Sequence, residues 1–595
     1  MQPTIEILAK LNSSSKKNPN EIFTRLYRYL LREDIYFVAY KNLYANKGAG
    51  TKGIDNDTAD GFSYGYIHQI IDKLSKDEYY PKPTRRVEIP KKNGKKRPLS
   101  IPSFADKLVQ EVIRMILEAI YEPLFTDCSH GFRPKRGCHT ALEKIKGWNG
   151  ARWFVEGDIK GCFDNINHNR LIEIIGNKIK DKRFSELIRK FLKAGYMQNW
   201  KHHRTHSGTP QGGIVSPILA NIYLHELDKF VLEAKKKFDR KADKYLNPDY
   251  KLIASRVERL KDQASRADGD ARENLIKEYK EARKQMQKTH CKSQTDKKLK
   301  YIRYADDFII GVNGSKDDCE TIKSKIREFL STDLKLELSE EKTLITHSSK
   351  PCMFLGYHVS VRREQKVKPD KNGILKRSLN GMVQLAVPFK EKIEPFLWNR
   401  KAVRIKNGKL FPAKRDYLLN LTDLEIVSTY CAEMRGLLNY YNKAVDYYKL
   451  SYFAYLMEYS CLMTLARKHK SSISKMITKY RDGKGDWGIP YQTKEGKKRL
   501  YVPSAADCKE NLMKDEIRNN VISHSYSRTS FELRLEAKIC ELCGASGDIP
   551  FELHHVNKVK NLKGKSNWEL VMIAKRRKTL VVCQSCHDQI HAKRT

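Results

Sequence analysis

Two adjacent carboxylates lie in the middle of an apolar run of the chain. Residues 301–312 carry aromatic and β-branched side chains on either side of Asp306 and Asp307, and this pattern predicts a β-hairpin with the two aspartates at its turn. Two like charges side by side are unfavourable there unless a cation compensates them, and carboxylate oxygens are hard ligands that suit Mg²⁺. An isolated Asp-Asp pair is more often a solvated turn, so the predicted magnesium site depends on other motifs.

A third carboxylate that could complete this site is Asp158. It lies in a second strand-like run, residues 153–159, which is followed by a short segment ending at Asp164. Two Mg²⁺ ions held about 3.5–4 Å apart by shared carboxylates can activate a 3′-hydroxyl and stabilise a leaving pyrophosphate. The sequence therefore predicts the chemistry of nucleotide polymerisation.

Cysteine and histidine pairs near the carboxyl end predict two further metal sites. Two Cys-x2-Cys pairs are the ligand set of a closed structural Zn²⁺ site, whose binding should supply folding energy to so small a unit. These cysteines are Cys540, Cys543, Cys583 and Cys586. The histidines between and after them, the last two spaced one helical turn apart, are His554, His555, His587 and His591. Thiolates would hold one metal and imidazoles another.

The composition indicates a nucleic-acid partner. Lysine and arginine number 114 against 71 acidic residues in a chain of 595, a formal charge of +43. Such a charge disfavours the compact state unless a polyanion neutralises it, and nucleic acid is the natural candidate. A membrane surface is the rival polyanion, but no uncharged apolar stretch approaches the roughly 20 residues of a spanning helix. The length predicts roughly three to five domains.

The scattered cysteines and the amino terminus predict a cytoplasmic location. Nine of the thirteen cysteines occur singly, which suits a reducing compartment where they pack as small hydrophobic residues. Glu6 and Lys10 interrupt the amino-terminal segment, which therefore lacks the apolar core of a signal peptide.

Several sequence blocks follow one another in a fixed order. They are residues 97–102 (RPLSIP), 130–134 (HGFRP), 158–164 (DIKGCFD), 209–212 (TPQG), 304–307 (YADD) and 354–357 (FLGY). In this order they resemble the successive blocks of a reverse transcriptase. More narrowly, the chain resembles the multifunctional proteins encoded inside bacterial and organellar group II introns, over nearly its whole length.

This resemblance implies an α+β multidomain fold. A right-hand polymerase, with fingers and palm on an antiparallel sheet, would precede an α-helical thumb (domain X) and a small ββα-metal HNH domain with zinc. The implied units are an amino-terminal extension with the start of the fingers (1–85), fingers and palm (86–375), thumb (376–485), a DNA-binding region (486–535) and the HNH endonuclease (536–595).

A charged stretch, residues 229–300, predicts long helices inserted into the polymerase. Its composition favours a solvated hairpin of helices. The family resemblance adds that such an insertion grips the structured intron RNA, mainly through shape and phosphate contacts.

Matching the polymerase blocks residue by residue implies specific roles. Asp158, Asp306 and Asp307 match the catalytic carboxylates, with Asp158 and Asp306 as direct ligands of both Mg²⁺ ions. Phe163 matches the aromatic residue that blocks a ribose 2′-hydroxyl and so favours deoxynucleotides. The positions that match residues holding the incoming dNTP are Lys91, Arg97 and Gln211. Lys342 stands where polymerases often keep a general acid for pyrophosphate, although a lysine beside two glutamates is more often a surface ion pair.

The histidine-rich end resembles an HNH nuclease of the ββα-metal type. By this resemblance His555 is the general base, and His554 together with His587 or His591 holds a divalent ion, Mg²⁺, that stabilises the leaving 3′-oxygen. The alternative is a zinc ribbon that grips DNA without cutting it.

One position departs from the HNH pattern. Thr579 stands where many HNH proteins keep an asparagine that orients the base. Asn557 or Asn567 could take over that role, or hydrolysis could be slower.

These observations predict an RNA-directed DNA polymerase that binds its intron RNA, promotes its splicing as a maturase, nicks target DNA and primes reverse transcription from the nick. Its partners would be intron RNA, target DNA and dNTPs, with no membrane. Two alternatives are a splicing factor with a vestigial polymerase and a reverse transcriptase unrelated to introns. The presence of all three aspartates disfavours the first alternative. The maturase-like thumb and terminal HNH unit disfavour the second.

Overall fold

The computed structural model is a mixed α/β protein of several domains. It describes residues 3–46, 48–90, 94, 96–199, 201–205, 207–210, 212–241, 247–289, 291, 296–364, 367–369, 373, 375–377, 381–483, 485–493, 496–509 and 530–592. Among these residues, the structure contains no helix that is both long and apolar enough to cross a membrane.

The first part of the chain packs helices beside a β-hairpin. Its elements are α1 (Thr4–Lys17), α2 (Glu33–Tyr44), α3 (Tyr64–Ser75), β1 (Thr84–Pro90), β2 (Lys96–Ile101) and α4 (Phe104–Tyr121). The hairpin of β1 and β2 is antiparallel, as the Asn93-Gly94 dipeptide predicts. Helix α4 begins after Ser103, whose side-chain oxygen accepts a hydrogen bond from the backbone N–H of Asp106.

The middle of the chain alternates helices with short strands. Its elements are α5 (Cys138–Lys146), β3 (Trp153–Asp158), α6 (Cys162–Asn165), α7 (His168–Gly176), α8 (Lys182–Lys193), β4 (Tyr196–Gln198), β5 (Lys201–His203), α9 (Ser216–Phe238), α10 (Pro248–Arg266), α11 (Gly269–Lys288), β6 (Lys298–Tyr304), β7 (Asp307–Asn313), α12 (Lys316–Thr332) and β8 (Ile345–His347). Within the charged stretch, α10 and α11 pack on each other around a small apolar cluster that includes Val257, Leu260 and Ala282.

Short strands, two long helices and two short helices follow. They are β9 (Cys352–Phe354), β10 (Tyr357–Val361), β11 (Val367–Pro369), β12 (Leu375–Arg377), β13 (Val383–Ala386), α13 (Glu394–Asn399), β14 (Val403–Lys406), β15 (Lys409–Pro412), α14 (Asp423–Tyr440), α15 (Leu450–Lys468), α16 (Ile473–Tyr480), β16 (Gly488–Thr493) and β17 (Gly496–Tyr501). The carboxyl-terminal unit contains α17 (Ser530–Glu536), β18 (Phe551–His555), α18 (Asn567–Lys575), β19 (Thr579–Cys583) and α19 (Gln584–Ala592).

The four-stranded sheet of order β6-β7-β3-β8, here called the carboxylate sheet, joins two apolar cores. Successive residues of a strand point to opposite faces. Val155 and Ile310 therefore belong to the core shared with the amino-terminal helices and the carboxyl-terminal unit. Phe154 and Ile309 belong to a second core, which they share with α14 and α15.

Tyrosines attach α14 to the strand β10 and the turn before it. The Tyr440 hydroxyl donates a hydrogen bond to the Leu355 carbonyl oxygen at 2.5 Å, and the Tyr441 hydroxyl donates to Gly356 at 3.1 Å. The Tyr357 hydroxyl in turn donates to the carbonyl oxygen of Tyr440. The helices after residue 420 are thus fastened to the strands that pack on the carboxylate sheet.

The turn between β6 and β7 is held by very close backbone packing. Ala305 has a φ of +56°, the left-handed region. Gly131 lies directly against it: a Cβ added at Gly131 would be 2.3 Å from the Ala305 nitrogen. Only glycine permits this approach, which explains why the segment 130–134 meets the aspartate turn at this residue.

A buried ion pair between Arg303 and Asp228 also holds the turn between β6 and β7. Arg303 and Asp228 have fully buried side chains, and the guanidinium contacts both carboxylate oxygens, at 2.8 Å and 2.7 Å. The remaining donors of Arg303 reach the Ala305 carbonyl oxygen at 2.9 Å and the Ser129 hydroxyl at 2.9 Å. Asn221 donates to the Gly131 carbonyl oxygen at 2.8 Å. The turn therefore rests on a network of satisfied buried polar groups.

We expect Asp228→Ala to lower the free energy of unfolding by about 3–5 kcal/mol, because it leaves the Arg303 guanidinium buried without its counter-ion. Denaturant unfolding followed by intrinsic fluorescence measures the change. Asp72→Ala is the matched control: it removes an exposed partner of Lys76, where about 0–1 kcal/mol is expected. A loss for Asp228→Ala no larger than that of the control would contradict the prediction.

Candidate active sites

The strand register brings the three predicted aspartates to one end of the carboxylate sheet. Asp158, the last residue of β3, lies opposite Asp307, the first residue of β7. Asp306 occupies the turn that Ala305 begins. The structure therefore joins residues that are about 150 positions apart along the chain, as pairing of the two strands requires.

Electrostatics at this end of the sheet favour a bound cation. Burial raises the pKa of Asp306, and the neighbouring Asp158 adds to the effect. Burial, and then the charges of Asp306 and Asp158, raise the pKa of Asp307 to about 7. Their mutual repulsion is relieved when a divalent ion shares the carboxylates, so the donor set fits hard cations.

Lys342 supplies a positive charge beside the aspartates. Its ammonium nitrogen lies 2.8 Å from Oδ2 of Asp158, and this hydrogen bond raises the pKa of Lys342. The lysine thus does form an ion pair, but with Asp158 of the carboxylate sheet.

The structure describes only some of the residues that are predicted to select and bind dNTP. Lys91 and Gln211 lie outside the described residues. Arg97, on β2, is exposed, and its charge counteracts the burial that raises the pKa of Asp306. Phe163 packs edge-to-face against Phe132, with 6.0 Å between ring centroids. Its backbone carbonyl accepts a hydrogen bond from the N–H of Thr209 at 2.7 Å, which links the blocks at 158–164 and 209–212.

The four predicted cysteines form one cluster. The sulfur atoms of Cys540, Cys543, Cys583 and Cys586 all lie within 4.8 Å of one another. Burial and the neighbouring thiols raise the pKa of Cys586, whereas backbone hydrogen bonds outweigh burial and lower the pKa of Cys540 to about 7. Four crowded sulfurs that repel one another as thiolates fit a tetrahedral zinc ion.

A second cluster contains three of the predicted histidines and one residue that sequence analysis missed. The imidazoles of His554, His587 and His591 lie with the carboxylate of Asp60, all ligand atoms being within 4.8 Å of one another. Among the described residues, this cluster and the cysteine cluster are the two groups of three or more His, Cys, Asp or Glu side chains whose ligand atoms all lie within 4.8 Å of one another. Nothing in the local sequence around Asp60 signals this role, because its partners lie about 500 residues away.

Glu552 orients one histidine of the second cluster. Its Oε2 lies 2.6 Å from Nδ1 of His587, which turns Nε2 toward the other members. Burial lowers the pKa of His587, but the hydrogen bonds to Asp60 and Glu552 outweigh it and raise the pKa to about 9. An imidazole held by a carboxylate in this way is typical of metal ligands.

His555 points away from that cluster. Its Nε2 lies 3.2 Å from the Tyr44 carbonyl oxygen, and its backbone N–H donates to Asp60 at 2.7 Å. Burial lowers its pKa, which favours the neutral ring. Because a carbonyl can only accept, this contact requires the proton on Nε2, which makes Nδ1 the acceptor nitrogen of the ring.

Thr579, which stands where many HNH proteins keep an asparagine, lies beside His555 and is hydrogen-bonded by Arg534. Thr579 pairs with His555 across the strands β18 and β19. Its hydroxyl accepts a hydrogen bond from Arg534 at 2.9 Å, and Arg534 also reaches its carbonyl oxygen at 3.2 Å. Asn557, the first predicted substitute, lies against Gly50. Asn567 begins α18.

Comparison with known proteins identifies the family. Over 595 aligned residues the chain is 56% identical to the group II intron-encoded protein LtrA of Lactococcus lactis subsp. cremoris, covering 99% of both chains. The chain belongs to the family of group II intron-encoded proteins. It is also 37% identical to an uncharacterised 91 kDa protein in a cob intron of Schizosaccharomyces pombe, covering 99% of this chain and 72% of the other. A putative COX1/OXI3 intron 2 protein of Saccharomyces cerevisiae is 33% identical, covering 98% and 68%.

Three family models match successive parts of this intron-encoded protein. A reverse transcriptase (RNA-dependent DNA polymerase) model matches residues 89–246 and 275–359, a type II intron maturase model matches 381–522, and an AI2M/AI1M-like HNH endonuclease model matches 540–587. The predicted family and enzyme class are confirmed. The protein is a reverse transcriptase with maturase and HNH endonuclease domains that acts in intron splicing and mobility, and these domains imply binding of intron RNA.

We expect Cys583→Ser to unfold the carboxyl-terminal unit, because zinc binding supplies much of the folding energy of such a small domain. The protein should lose about one zinc per chain by elemental analysis, and residues 536–592 should become sensitive to protease. Cys291→Ser replaces an exposed cysteine outside the cluster and should change neither readout. Full zinc retention in Cys583→Ser would refute the assignment.

Proposed function

We propose that the polymerase has the right-hand arrangement, with the carboxylate sheet as its palm and the helices of 376–485 as its thumb. Residues 1–85 and 86–375 would form the amino-terminal extension and the fingers with palm. The charged helices within 229–300 would contact intron RNA, and 486–535 would contact target DNA. The attachment of α14 to the sheet through Tyr440 and Tyr441 supports a thumb that moves little relative to the palm.

The polymerase chemistry is assigned to Asp158, Asp306 and Asp307, which would hold two Mg²⁺ ions. When bound, these ions would lower the pKa of the primer 3′-hydroxyl and stabilise the leaving pyrophosphate. Lys342, whose ammonium is hydrogen-bonded to Asp158, would donate a proton to that pyrophosphate. The convergence of three separate aspartates on one sheet edge is the observation that supports this site best, and it disfavours a vestigial polymerase.

Substrate selection is assigned to the neighbouring blocks. Lys91, Arg97 and Gln211 would hold the incoming dNTP. The ring of Phe163, supported edge-on by Phe132, would exclude a ribose 2′-hydroxyl. A cavity of about 300 Å³ between β2 and residues 207–210 is lined also by Asp164 and offers polar atoms of Ser100 and Thr209.

The nuclease chemistry is assigned to His555 with His554, His587 and His591. Nδ1 of His555 would take a proton from the attacking water, since Nε2 is engaged by the Tyr44 carbonyl. The three other imidazoles would hold a Mg²⁺ ion, which when bound stabilises the leaving 3′-oxygen. Cleavage leaves a 3′-hydroxyl, which the polymerase extends along the intron RNA.

A cytoplasmic location belongs to the same proposal. All thirteen cysteines are free of disulfides, which agrees with a reducing compartment.

We expect Asp306→Ala to lower cDNA synthesis by at least about 10³-fold, because the loss of a shared metal ligand removes several kcal/mol of transition-state stabilisation. Primer extension with purified protein and excised intron RNA measures it. Splicing and target nicking should persist, and Asp317→Ala, an exposed aspartate of α12, should resemble the parent in all three assays. Normal cDNA synthesis by Asp306→Ala would exclude this active site.

We expect His555→Ala to lower nicking of target DNA by about 10²–10⁴-fold, the usual contribution of a general base. Extension of a supplied, annealed primer should be unaffected. His68→Ala, which replaces an exposed histidine of α3, is the matched control. If His555→Ala still nicks at the parent rate, a different residue must activate the water.

A further inference from the structure

A short segment near the amino terminus is fastened to the nuclease unit. Residues 59–62, here called the Asp60 segment, run antiparallel to β18. The N–H of Gly61 donates to the Leu553 carbonyl oxygen, and the N–H of Leu553 donates to the Phe62 carbonyl oxygen, both at 3.0 Å. The contact is thus a two-bond bridge of the kind that sheets are made of.

The other side of the Asp60 segment is fixed to α2. The Tyr40 hydroxyl donates to the Ala59 carbonyl oxygen at 2.9 Å, and the ring of Tyr40 stacks on Phe62 with 4.0 Å between centroids. Phe62 is buried. Gly61, with a φ of +83°, supplies the bend that lets Asp60 point at the histidines while Phe62 points into the core.

The Asp60 carboxylate touches every imidazole of the cluster. Its Oδ1 lies 3.1 Å from Nδ1 of His554 and 3.2 Å from Nε2 of His587, and its Oδ2 lies 2.9 Å from Nε2 of His591. The backbone N–H of His555 donates to Oδ1 at 2.7 Å. A carboxylate that merely neutralised one protonated imidazole would need one such partner, whereas here three imidazole nitrogens converge on it.

We propose that Asp60 is the fourth protein ligand of the divalent cation in the nuclease site. The inference rests on the proposed nuclease function and adds a ligand supplied by a distant part of the chain. Three imidazole nitrogens and one carboxylate oxygen within 4.8 Å of one another form a donor set that suits a divalent ion. Glu552 supports it from outside by holding Nδ1 of His587.

A cation bound by Asp60 and the three histidines would connect the Asp60 segment, which is fixed to α2, with the carboxyl-terminal unit. Bound metal would strengthen docking of the HNH unit on α2, and docking would strengthen metal binding by the same factor. Because α2 packs in the same core as the carboxylate sheet, the nuclease would hold its metal most tightly when seated against the polymerase.

Mn²⁺ is the probe for the test. Full-length, zinc-loaded protein with Asp158, Asp306 and Asp307 replaced by asparagine, so that the polymerase site does not contribute, is titrated with Mn²⁺ and followed by electron paramagnetic resonance. Asp60→Asn in this background keeps an oxygen that can accept from the His555 N–H. Loss of an outer partner of a metal ligand already costs about 10–100-fold in affinity, so we expect Asp60→Asn to weaken Mn²⁺ binding at least tenfold.

A spectroscopic readout separates coordination from docking. With aspartate labelled by ¹³C at the side-chain carboxyl, electron–nuclear double resonance should show a ¹³C coupling to bound Mn²⁺ in the parent background and none in Asp60→Asn. Asp55→Asn removes the same charge from the same region, where Asp55 pairs with Lys82, and should leave both readouts unchanged.

Three results would decide against the inference in distinguishable ways. Unchanged Mn²⁺ affinity in Asp60→Asn, together with lost binding in His587→Ala, would remove Asp60 from the ligand set and leave the nuclease assignment standing. A missing ¹³C coupling in the parent background would do the same even if affinity fell. Full Mn²⁺ binding by His587→Ala would overturn the nuclease site itself, and the Asp60 inference with it.

Discussion

The buried ion pair of Arg303 with Asp228 is the interaction on which the polymerase half depends. Neither side chain has any exposure to water, and the pair is tolerable because the Arg303 guanidinium is hydrogen-bonded to Asp228, Ala305 and Ser129. The ion pair also limits the direction in which the aspartate turn can move. The guanidinium also holds the Ala305 carbonyl oxygen, so the aspartate turn cannot relax away from Asp158 without uncovering a buried charge. Like-charged residues are thereby kept together against their own repulsion.

The two candidate active sites handle charge in opposite ways. On the carboxylate sheet, anionic groups are crowded together, and Lys342 and Arg97 supply compensating positive charge. In the second site, the carboxylate of Asp60 from the amino-terminal part of the chain is surrounded by imidazoles of the carboxyl-terminal unit. The first arrangement attracts small hard cations and phosphates bridged by them, and the second offers nitrogen ligands to a single ion. The two sites therefore offer different ligand sets to metal ions, which lets one chain combine polymerisation with cleavage.

Local pattern was enough to predict the strands and turns that carry chemistry. The apolar runs around Asp158 and Asp306 predicted the β-hairpin and the second strand, and the Cys-x2-Cys spacing predicted the thiolate cluster. Arg303 could not be assigned a role, because a charged residue inside an apolar strand has no local partner and Asp228 lies 75 positions earlier. Asp60 and Arg534 were missed for the same reason: their roles arise from tertiary contacts that periodicity does not encode. For Lys342 the sequence left two roles open; the structure shows an ion pair with Asp158, and the general-acid role stays a prediction.

The shared core behind the carboxylate sheet constrains how this kind of protein can evolve. Phe154 and Ile309 lie in one apolar core with residues of α14 and α15, and the Tyr440 hydroxyl of α14 donates to the Leu355 carbonyl oxygen of the neighbouring turn. A shortened gene that ended before these helices would encode a chain whose second core lacked many of its apolar partners, which favours aggregation over folding. Descendants that abandon DNA synthesis are therefore expected to keep the full scaffold and to decay by single substitutions at the acidic and imidazole positions.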